Sequence, residues 1–311
     1  MFSSRTNWDS VPAPLNALAE EMRSEGKEII DLTESNPTNC GFLSNPENLI
    51  PAAALQHSTI YEPDPKGLPE ARRVIARWYN QQGVEVDPSR IVLASSTSEA
   101  YSFLLRLLCN PAEGIAVPKP SYPLFDYLAC INDVECRHYR LAYDGEWHVD
   151  WPTLEKVLVT GTKALVLVHP NNPTGSFIKI DEGERIVGYS KDRGIPLIVD
   201  EVFGGFAFRE DTMRYGSFAG TNGTLTFTLN GISKLAGLPQ LKLAWIVVSG
   251  PDDLRTEALR RLEIIDDTFL SVGTPVQHSL ESLLDNGAAI TGRIKDRVTN
   301  NFKELTRMFS S

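Results

Sequence analysis

Three side chains in the middle of the sequence could together bind and activate a carbonyl compound. Lys234 offers an amine, Asp200 a carboxylate and Asn172 an amide, and each follows a short apolar run of the chain. A lysine amine condenses with an aldehyde to form an imine, and a carboxylate can keep a nearby ring nitrogen protonated. The trio therefore predicts a site for a cofactor with an aldehyde and a basic ring nitrogen, such as pyridoxal phosphate.

Each of these residues alone also fits a purely structural role. Lys234 could be a solvated surface residue, Asp200 could cap a turn or a helix, and the Asn-Pro-Thr-Gly run at Asn172 is ordinary turn chemistry. Position argues against these roles for Asp200 and Asn172, because both follow buried runs, at the carboxyl ends where α/β sheets bind ligands. Lys234 is predicted in a small-residue loop between two strands, where desolvation would make its amine a nucleophile.

Two further segments follow predicted strands. The hydroxyl-rich run at 95–98, which contains Ser96 and Thr97, precedes a predicted helix. Backbone N–H groups at a helix N-terminus form an anion site suited to a phosphate, although an ordinary N-cap cluster explains the run equally well. Tyr122 follows the next strand and could stack on a planar ring, or it could be a core or surface tyrosine.

The elements that must position these residues follow from apolar runs that alternate with helical patterns. Most runs are apolar throughout, as in strands buried on both faces of a mainly parallel sheet. Predicted strands cover 91–95, 115–118, 135–141, 164–169, 197–202, 225–229 and 243–248. Predicted helices cover 12–26, 69–82, 98–108, 181–193, 252–265, 275–284 and 288–309, and 31–55 is predicted as loop.

This alternation predicts an α/β fold whose large domain is a three-layer αβα arrangement with a mainly parallel seven-stranded sheet. We expect an N-terminal arm over 1–49, the cofactor-binding large domain over 50–270, and the helical start of an incomplete small domain over 271–311.

Composition narrows the class of protein. The chain has 311 residues, 42% of them hydrophobic, and a formal net charge of −10, which disfavours a non-specific nucleic-acid binder. It has no apolar run of 18 residues or more, so we expect no membrane span, and its first ten residues show no secretory signal. We therefore expect a cytoplasmic protein. Neither the four cysteines nor the five histidines are spaced like metal ligands, so no metal is expected.

In their order and residue types, six motifs resemble those of fold-type I pyridoxal-phosphate enzymes, and within that group those of the class I/II aminotransferases. The likeness covers about residues 31 to 277. The motifs are Tyr-Glu-Pro-Asp-Pro-Lys-Gly-Leu from Tyr61, Ser-Ser-Thr-Ser-Glu-Ala at 95–100, Pro-Ser-Tyr-Pro at 120–123, Asn-Asn-Pro-Thr-Gly at 171–175, Asp-Glu-Val-Phe at 200–203 and Ser-Lys-Leu-Ala-Gly-Leu-Pro at 233–239. Each motif alone is weak, but six in this order are highly specific.

The resemblance implies roles for the residues that match. Lys234 would form the internal aldimine with pyridoxal 5′-phosphate and then shuttle a proton. Asp200 would pair with the pyridine nitrogen, Asn172 would donate to the phenolic oxygen, and Tyr122 would stack on the ring. Family members usually carry a tyrosine three residues after the aspartate, and Phe203 stands there in this chain. We expect the lost hydroxyl to raise the pKa of the imine.

The resemblance also implies a phosphate site. Ser96 and Thr97 would hold the phosphate chiefly through backbone N–H groups, and Tyr61 would reach the phosphate of the neighbouring subunit of a homodimer. The family usually places an arginine eight residues after the lysine, where this chain has Lys242, so we expect a looser grip. Gly231 replaces a common serine three residues before the lysine, although Ser233 adjoins it.

A small C-terminal domain with an arginine for the substrate carboxylate usually completes such chains. Only a helical tail is predicted here, and nothing in the sequence selects among its Arg293, Arg297 and Arg307. We therefore expect a fragment more readily than a reduced small domain.

The sequence favours an aminotransferase that acts on amino acids and 2-oxo acids by a ping-pong mechanism, with a mild preference for small or neutral amino acids. A lyase or decarboxylase on the same scaffold stays open, and so does a cofactor-binding chain without turnover. A regulator with an attached DNA-binding module has little support, because no basic patch precedes the domain.

Overall fold

A computed structural model of the chain describes most of its residues. The described residues are 3–6, 8, 14–30, 32, 34–42, 49–59, 61, 63–209, 211–270 and 272–309. Residues 12–13 of the first predicted helix and 31, 33 and 43–48 of the predicted loop lie outside this part.

One mixed sheet of eight strands organises the fold, in the order β1-β8-β7-β6-β5-β2-β3-β4. Strands β1 to β8 span Ile91–Ala94, Gly114–Lys119, Glu135–Tyr143, Trp147–Val149, Thr162–Val168, Leu197–Asp200, Thr226–Gly231 and Ala244–Ser249. Strands β2, β3, β5, β6 and β7 pair in parallel, whereas β8 is antiparallel to both β1 and β7. Because β8 is antiparallel to both of its neighbours, β1 runs parallel to β7. The carboxyl ends of six strands therefore meet at one edge of the sheet, namely those of β1, β2, β3, β5, β6 and β7.

Helices cover both faces of the sheet. Helices α1 to α11 span Pro14–Ser24, Ala52–His57, Pro69–Asn80, Thr97–Leu108, Phe125–Ile131, Trp151–Val157, Ile180–Arg193, Ile232–Leu235, Asp252–Phe269, Thr274–His278 and Leu280–Phe309. Helices α4, α5 and α9 share a core with one face of the strands, and α3, α6, α7, α10 and α11 contribute to two cores on the opposite face. The predicted three-layer αβα arrangement is therefore confirmed.

Alternation along the strands explains why both faces are filled. Val92 and Ala94 of β1 lie in the core with α4, whereas Ile91 and Leu93 lie in the core with α3. All four are buried, because adjacent side chains of a strand point to opposite faces and helices cover each of them.

The prediction of seven strands was wrong by one. Strand β4 is a three-residue partner of β3, with Tyr143 opposite Trp147 and Leu141 opposite Val149. Three residues are too few to show an alternating pattern, so the sequence offered no periodic signal for this strand.

The last two helices also break at a different place from the predicted one. Helix α10 ends at His278 and α11 begins at Leu280, whereas the sequence predicted a break between 284 and 288. Gly287 instead lies inside α11, where an added Cβ would stand 2.3 Å from the Cβ of Ala236. This glycine allows α11 to pack closely on the segment after α8 and does not end the helix.

Within the part of the chain that the structure describes, no helix is long and apolar enough to cross a membrane. The same residues contain no group of three or more His, Cys, Asp or Glu side chains arranged to hold a metal ion.

Candidate active site

The ends of three neighbouring strands are held in line at the centre of the sheet. Val168 of β5 lies opposite Asp200 of β6, and Asp200 lies opposite Leu229 of β7. The N–H of His169 donates to the carbonyl of Asp200 at 2.8 Å, and the N–H of Glu201 donates to the carbonyl of Leu229 at 2.9 Å. The segments that carry Asn172, Asp200 and Lys234 therefore leave the sheet side by side.

Asp200 is the last residue of β6 and is 7% exposed. Its Oδ1 accepts the N–H of Val202 at 3.1 Å, and its Oδ2 accepts the hydroxyl of Tyr101 at 3.3 Å. Burial raises the pKa of this carboxyl from 3.8 to about 6, and the two donors and the charge of Lys234 oppose the rise. The result is a buried carboxylate that is ionised at neutral pH and lies within the electrostatic reach of Lys234.

Lys234 lies on the one-turn helix α8 and is half-buried. The sequence correctly predicted that Lys234 lies in the connection between β7 and β8. It predicted a loop there, whereas residues 232–235 form a single helical turn directly after β7. The Lys234 ammonium stands 5.7 Å from the centre of the Phe203 ring. The ammonium makes no hydrogen bond or ion pair with any residue that the structure describes. The amine is therefore available to a ligand.

A network of hydrogen bonds shapes the turn that carries Asn172. The buried His169 accepts the N–H of Ile178 at Nδ1, 3.0 Å away, and its Nε2 lies 3.1 Å from the carbonyl of Tyr215. Burial lowers the pKa of His169 to about 4, so the ring is neutral and Nε2 is the donor to that carbonyl. Asn171 donates to Thr174 Oγ1 at 2.9 Å, which closes the turn.

Within this turn the two asparagines differ. Asn171 is buried and also donates to the carbonyl of Pro120 at 3.3 Å, which ties the turn to the segment after β2. The Asn172 side chain is half-buried and makes no hydrogen bond to any residue that the structure describes. Its amide is therefore the one that a ligand at the sheet edge could use.

The run after β1 forms the N-terminus of α4. Ser96 is the N-cap residue, and its hydroxyl accepts the N–H of Glu99 at 3.1 Å. The Glu99 carboxylate in turn accepts the N–H and the hydroxyl of Ser95, at 2.7 and 2.8 Å. The first-turn N–H groups of Thr97 and Ser98 have no partner within the helix, as at any helix start, so they can bind an anion. The run is thus an N-cap cluster and a possible anion site at once.

Tyr122 follows β2 and packs into the aromatic side of the core. Its ring lies 5.8 Å from that of Phe125 at 90°, and Phe125 lies 5.1 Å from Tyr101 at 85°. This edge-to-face series connects Tyr122 with the tyrosine that touches Asp200.

The remaining candidates lie at the rim. Lys242 is exposed, has a left-handed backbone with φ 51°, and is separated from β8 by one residue, Leu243. Because β8 is antiparallel to β7, its start lies at the same edge as Lys234. Ser233 is half-buried on α8 beside Lys234. Tyr61 is 77% exposed, and the described residues include no hydrogen-bond or ring partner that brings it to Lys234 or Asp200.

Gly231 is closely packed where the family commonly has a serine. An added Cβ would lie 3.0 Å from the Cα of Ala244 and 3.0 Å from the carbonyl oxygen of Leu243. A serine therefore does not fit here unless β8 shifts, so its absence has a packing reason.

Two buried residues next to the site, Glu201 and Tyr101, were not predicted from the sequence. Glu201 is buried and accepts the Ser217 hydroxyl and the Phe218 N–H, each at 2.7 Å. Burial raises its pKa to about 7, and the charge of Asp200 adds to the rise. Tyr101 was missed as well, because only its contact with a residue 99 positions away reveals it. An acid directly after a strand-terminal aspartate was the only signal available for Glu201.

The three arginines of the helical tail are each engaged. Arg293 donates to the carbonyl of Phe42, and Arg297 donates to that of Cys40 at 3.1 Å. Arg307 pairs with Glu304 on the exposed side of α11 at 2.9 Å. The structure thus selects none of them for a substrate carboxylate.

A profile of the family "Aminotransferase class I and II" matches residues 27–311. The chain belongs to this family, whose members are enzymes that use pyridoxal 5′-phosphate. The predictions of family, α/β fold class, aminotransferase class and cofactor are therefore confirmed.

Individual relatives carry several names. The chain is 25% identical over 308 residues to the glutamate-pyruvate aminotransferase AlaA of Haemophilus influenzae, covering 96% of this chain and 75% of the relative. It is 26% identical over 278 residues to the tyrosine aminotransferase of Mus musculus, covering 87% and 61%. The fold is similar to that of an alanine aminotransferase from Pyrococcus furiosus, with a TM-score of 0.85 and 24% identity over 99% of this chain and 79% of that one.

The residues at the sheet edge fit this cofactor. Asp200 is a buried carboxylate beside Lys234, the Asn172 amide has no partner among the described residues, and the first turn of α4 offers N–H groups to a phosphate. These are the donor, acceptor and nucleophile types that the three polar parts of pyridoxal 5′-phosphate require.

Proposed function

We propose that the strand-end cluster of Lys234, Asp200 and Asn172 is the catalytic centre of an aminotransferase that moves an amino group from an amino acid to a 2-oxo acid by a ping-pong mechanism. The observation that carries this proposal is the buried Asp200 carboxylate beside the Lys234 amine at the end of β6. A site that only bound a neutral ligand would not require a buried carboxylate, because burying a charge is unfavourable in free energy.

Each side chain then has a definite task. Pyridoxal 5′-phosphate, when bound, supplies a carbonyl carbon that takes up amines and a ring that withdraws electrons. The Nζ of Lys234 would attach the cofactor and, once displaced by the substrate amine, would carry a proton from the substrate α-carbon to the carbonyl carbon of the cofactor. Asp200 would hold the ring nitrogen protonated, and Asn172 would donate to the phenolic oxygen. Tyr122 presents its ring as one wall of the site.

The phosphate would be held at the start of α4. The N–H groups of Thr97 and its neighbours would bind it together with the hydroxyls of Ser96 and Ser233, and Lys242 would add a positive charge from the rim. The Ser96 hydroxyl already accepts a hydrogen bond from Glu99, so its free lone pair and its own proton serve the phosphate.

Amine transfer can be distinguished from its rivals in a single half-reaction. The purified protein is loaded with pyridoxal 5′-phosphate and mixed with L-alanine or L-glutamate and no oxo acid. We expect the cofactor absorbance to change to that of the amine form with one equivalent of 2-oxo acid, and a fresh 2-oxo acid to reverse the change. Release of carbon dioxide or ammonia instead would identify a decarboxylase or a lyase. Cofactor uptake without reaction would identify a binding protein without turnover.

Small or neutral amino acids are the proposed donors. The support is that several relatives are named for alanine or for pyruvate, the oxo acid of alanine, and that no arginine of the described residues is placed at the site for a side-chain carboxylate. The initial rates of the half-reaction across alanine, glutamate, aspartate and tyrosine test this. A preference for aspartate or glutamate over alanine would contradict the proposal.

A homodimer is the proposed assembly, with Tyr61 acting in the neighbouring subunit. Its 77% exposure is compatible with a contact outside its own subunit. Tyr61→Ala and Lys234→Ala proteins can be mixed under conditions that exchange subunits. If Tyr61 acts across the interface, each hybrid has one intact site and activity returns to about a quarter of wild type for random pairing. No recovery, in a mixture shown to contain hybrids, would contradict an action between subunits.

We also propose a cytoplasmic location, supported by four thiols that are all free, as expected in a reducing compartment. The division into segments 1–49, 50–270 and 271–311 stays a prediction, and limited proteolysis with cleavage near residues 49 and 270 would support it.

A further inference from the structure

The only side-chain hydroxyl that reaches Asp200 among the described residues belongs to Tyr101. This tyrosine projects from α4, is 1% exposed, and places its hydroxyl 3.3 Å from Oδ2 of the carboxylate. The other oxygen, Oδ1, accepts a backbone N–H from Val202. Each oxygen of the carboxylate therefore has one donor from the protein, and the two donors approach from different elements.

The orientation of Tyr101 is fixed by packing. Its ring meets Phe125 edge to face at 5.1 Å, and Phe125 meets Tyr122 in the same way at 5.8 Å. Burial, and then the charge of Asp200, raise the pKa of the Tyr101 phenol well above its usual range. The hydroxyl is therefore always protonated in the working range and can only act toward Asp200 as a donor.

We propose that Tyr101 is a positioning residue that keeps the Asp200 carboxylate ionised and aimed at a protonated ring nitrogen of the cofactor. This inference rests on the proposed function of the site. Nothing in the motif series assigns a role to this position, and the tyrosine touches neither Lys234 nor the phosphate-binding turn through any hydrogen bond of the described residues.

Three other groups bear on the charge of Asp200. Lys234, on α8, favours the ionised form, and so does the Val202 N–H. Glu201 is the next residue along the chain, but its carboxylate is directed to Ser217 and Phe218 on the opposite face. Of the groups that favour the ionised form of Asp200, only Tyr101 can be changed without altering either the attachment of the cofactor or the backbone.

The chain offers a matched control in Tyr139. This tyrosine of β3 is also 1% exposed, and its hydroxyl donates to the carbonyl of Val166 at 2.8 Å. Tyr139→Phe therefore removes a buried phenol hydrogen bond of the same kind and leaves Asp200 untouched. A general loss of stability should appear in both variants, whereas an effect on the Asp200 charge should appear only in Tyr101→Phe.

The experiment measures the dissociation constant of pyridoxal 5′-phosphate as a function of pH for wild type, Tyr101→Phe and Tyr139→Phe. We expect Tyr101→Phe to bind about tenfold more weakly at neutral pH, because a hydrogen bond to a charged group is lost. We also expect the acidic midpoint of its affinity to move up by about one pH unit. Tyr139→Phe should keep the wild-type midpoint. The ionisations of the cofactor itself are common to all three proteins and cancel in the comparison.

Two results would overturn the inference: an unchanged midpoint in Tyr101→Phe, or equal shifts in both variants. A second substitution guards against a folding defect. Replacing Tyr101 by 3,5-difluorotyrosine keeps the shape but makes the phenol a stronger donor, so the midpoint should move down, and no movement would contradict the role. If wild type itself takes up no cofactor, the proposed function fails instead, which separates the two outcomes.

Discussion

The Lys234 ammonium lies 5.7 Å from the centre of the Phe203 ring, across the end of β6. Phe203 stands three residues after Asp200, the position at which the resemblance leads one to expect a tyrosine. The ring thus keeps an aromatic face toward the amine but brings no hydroxyl to it. An aromatic face favours a nearby positive charge, whereas a phenol hydroxyl would favour a negatively charged oxygen on the ligand.

The first prediction concerns this missing hydroxyl. Phe203→Tyr should lower, by about one unit, the pKa read from the absorbance of the bound cofactor against pH, because a new donor stabilises the phenolic anion. Phe206→Tyr is the control, since Phe206 is a neighbour whose ring centre lies 6.2 Å from that of Phe203. An unchanged or higher value in Phe203→Tyr would show that the position does not face the cofactor oxygen.

The second prediction concerns Lys242 at the rim. Lys242→Ala should weaken cofactor binding about tenfold and make it less sensitive to salt, because the positive charge of the lysine near the phosphate is lost. Lys242→Arg should tighten binding, since a guanidinium can make two parallel bonds to a phosphate. Lys191→Ala, on the exposed end of α7, is the control and should change neither quantity. Equal affinities for all three Lys242 forms at low salt would place the residue outside the phosphate site.

The third prediction concerns the cost of burying Asp200. The pKa of its carboxyl is about 6 in the fold against 3.8 in the free residue. Between these values the folded protein retains a proton that the unfolded chain releases, so this group lowers the free energy of unfolding as pH rises from about 4 to 6. Asp200→Asn should therefore stabilise the cofactor-free protein at pH 8 by about 1–3 kcal/mol while weakening cofactor binding.

The measurement is urea unfolding of the cofactor-free proteins at pH 4 and pH 8. The gain should shrink toward pH 4, and Asp192→Asn on the exposed face of α7 should show no such pH dependence. A destabilised Asp200→Asn protein at pH 8 would mean that the carboxylate contributes more through its hydrogen bonds than its burial costs.

The fourth prediction concerns the close contact at Gly231. Gly231→Ala should destabilise the protein by about 1–3 kcal/mol, because the new methyl group meets the backbone of β8 at 3.0 Å. Gly188→Ala is the matched control, since Gly188 lies inside α7 with no atom within 4 Å of an added Cβ. That substitution should stabilise by about 0.5–1 kcal/mol in the same denaturation assay. Equal effects of both would show that the packing at Gly231 is looser than described.

The sequence predicted those features that depend on local pattern. Asp200 ends a fully apolar run, so its place at a strand end could be inferred, and parallel strands bring such ends to one edge. Tyr101 could not be found in this way, because on α4 it follows the same apolar periodicity as its neighbours, and only the fold brings it to Asp200. The last helix shows the opposite error, since the sequence predicted a break between 284 and 288, where Gly287 in fact packs against Ala236 inside α11. The neutral state of His169 likewise depends on its burial, which lowers the pKa of the ring and arises only in the folded protein.

The central claim is that Lys234 is the lysine that attaches the cofactor, and chemical trapping tests it most directly. The protein loaded with pyridoxal 5′-phosphate is reduced with borohydride, which fixes the carbon–nitrogen bond, and is then digested and analysed by mass spectrometry. We predict a phosphopyridoxyl group on the peptide that contains Lys234, and its loss in Lys234→Ala. A label on Lys242 or another lysine, or no labelled peptide from a protein that binds the cofactor, would contradict the account.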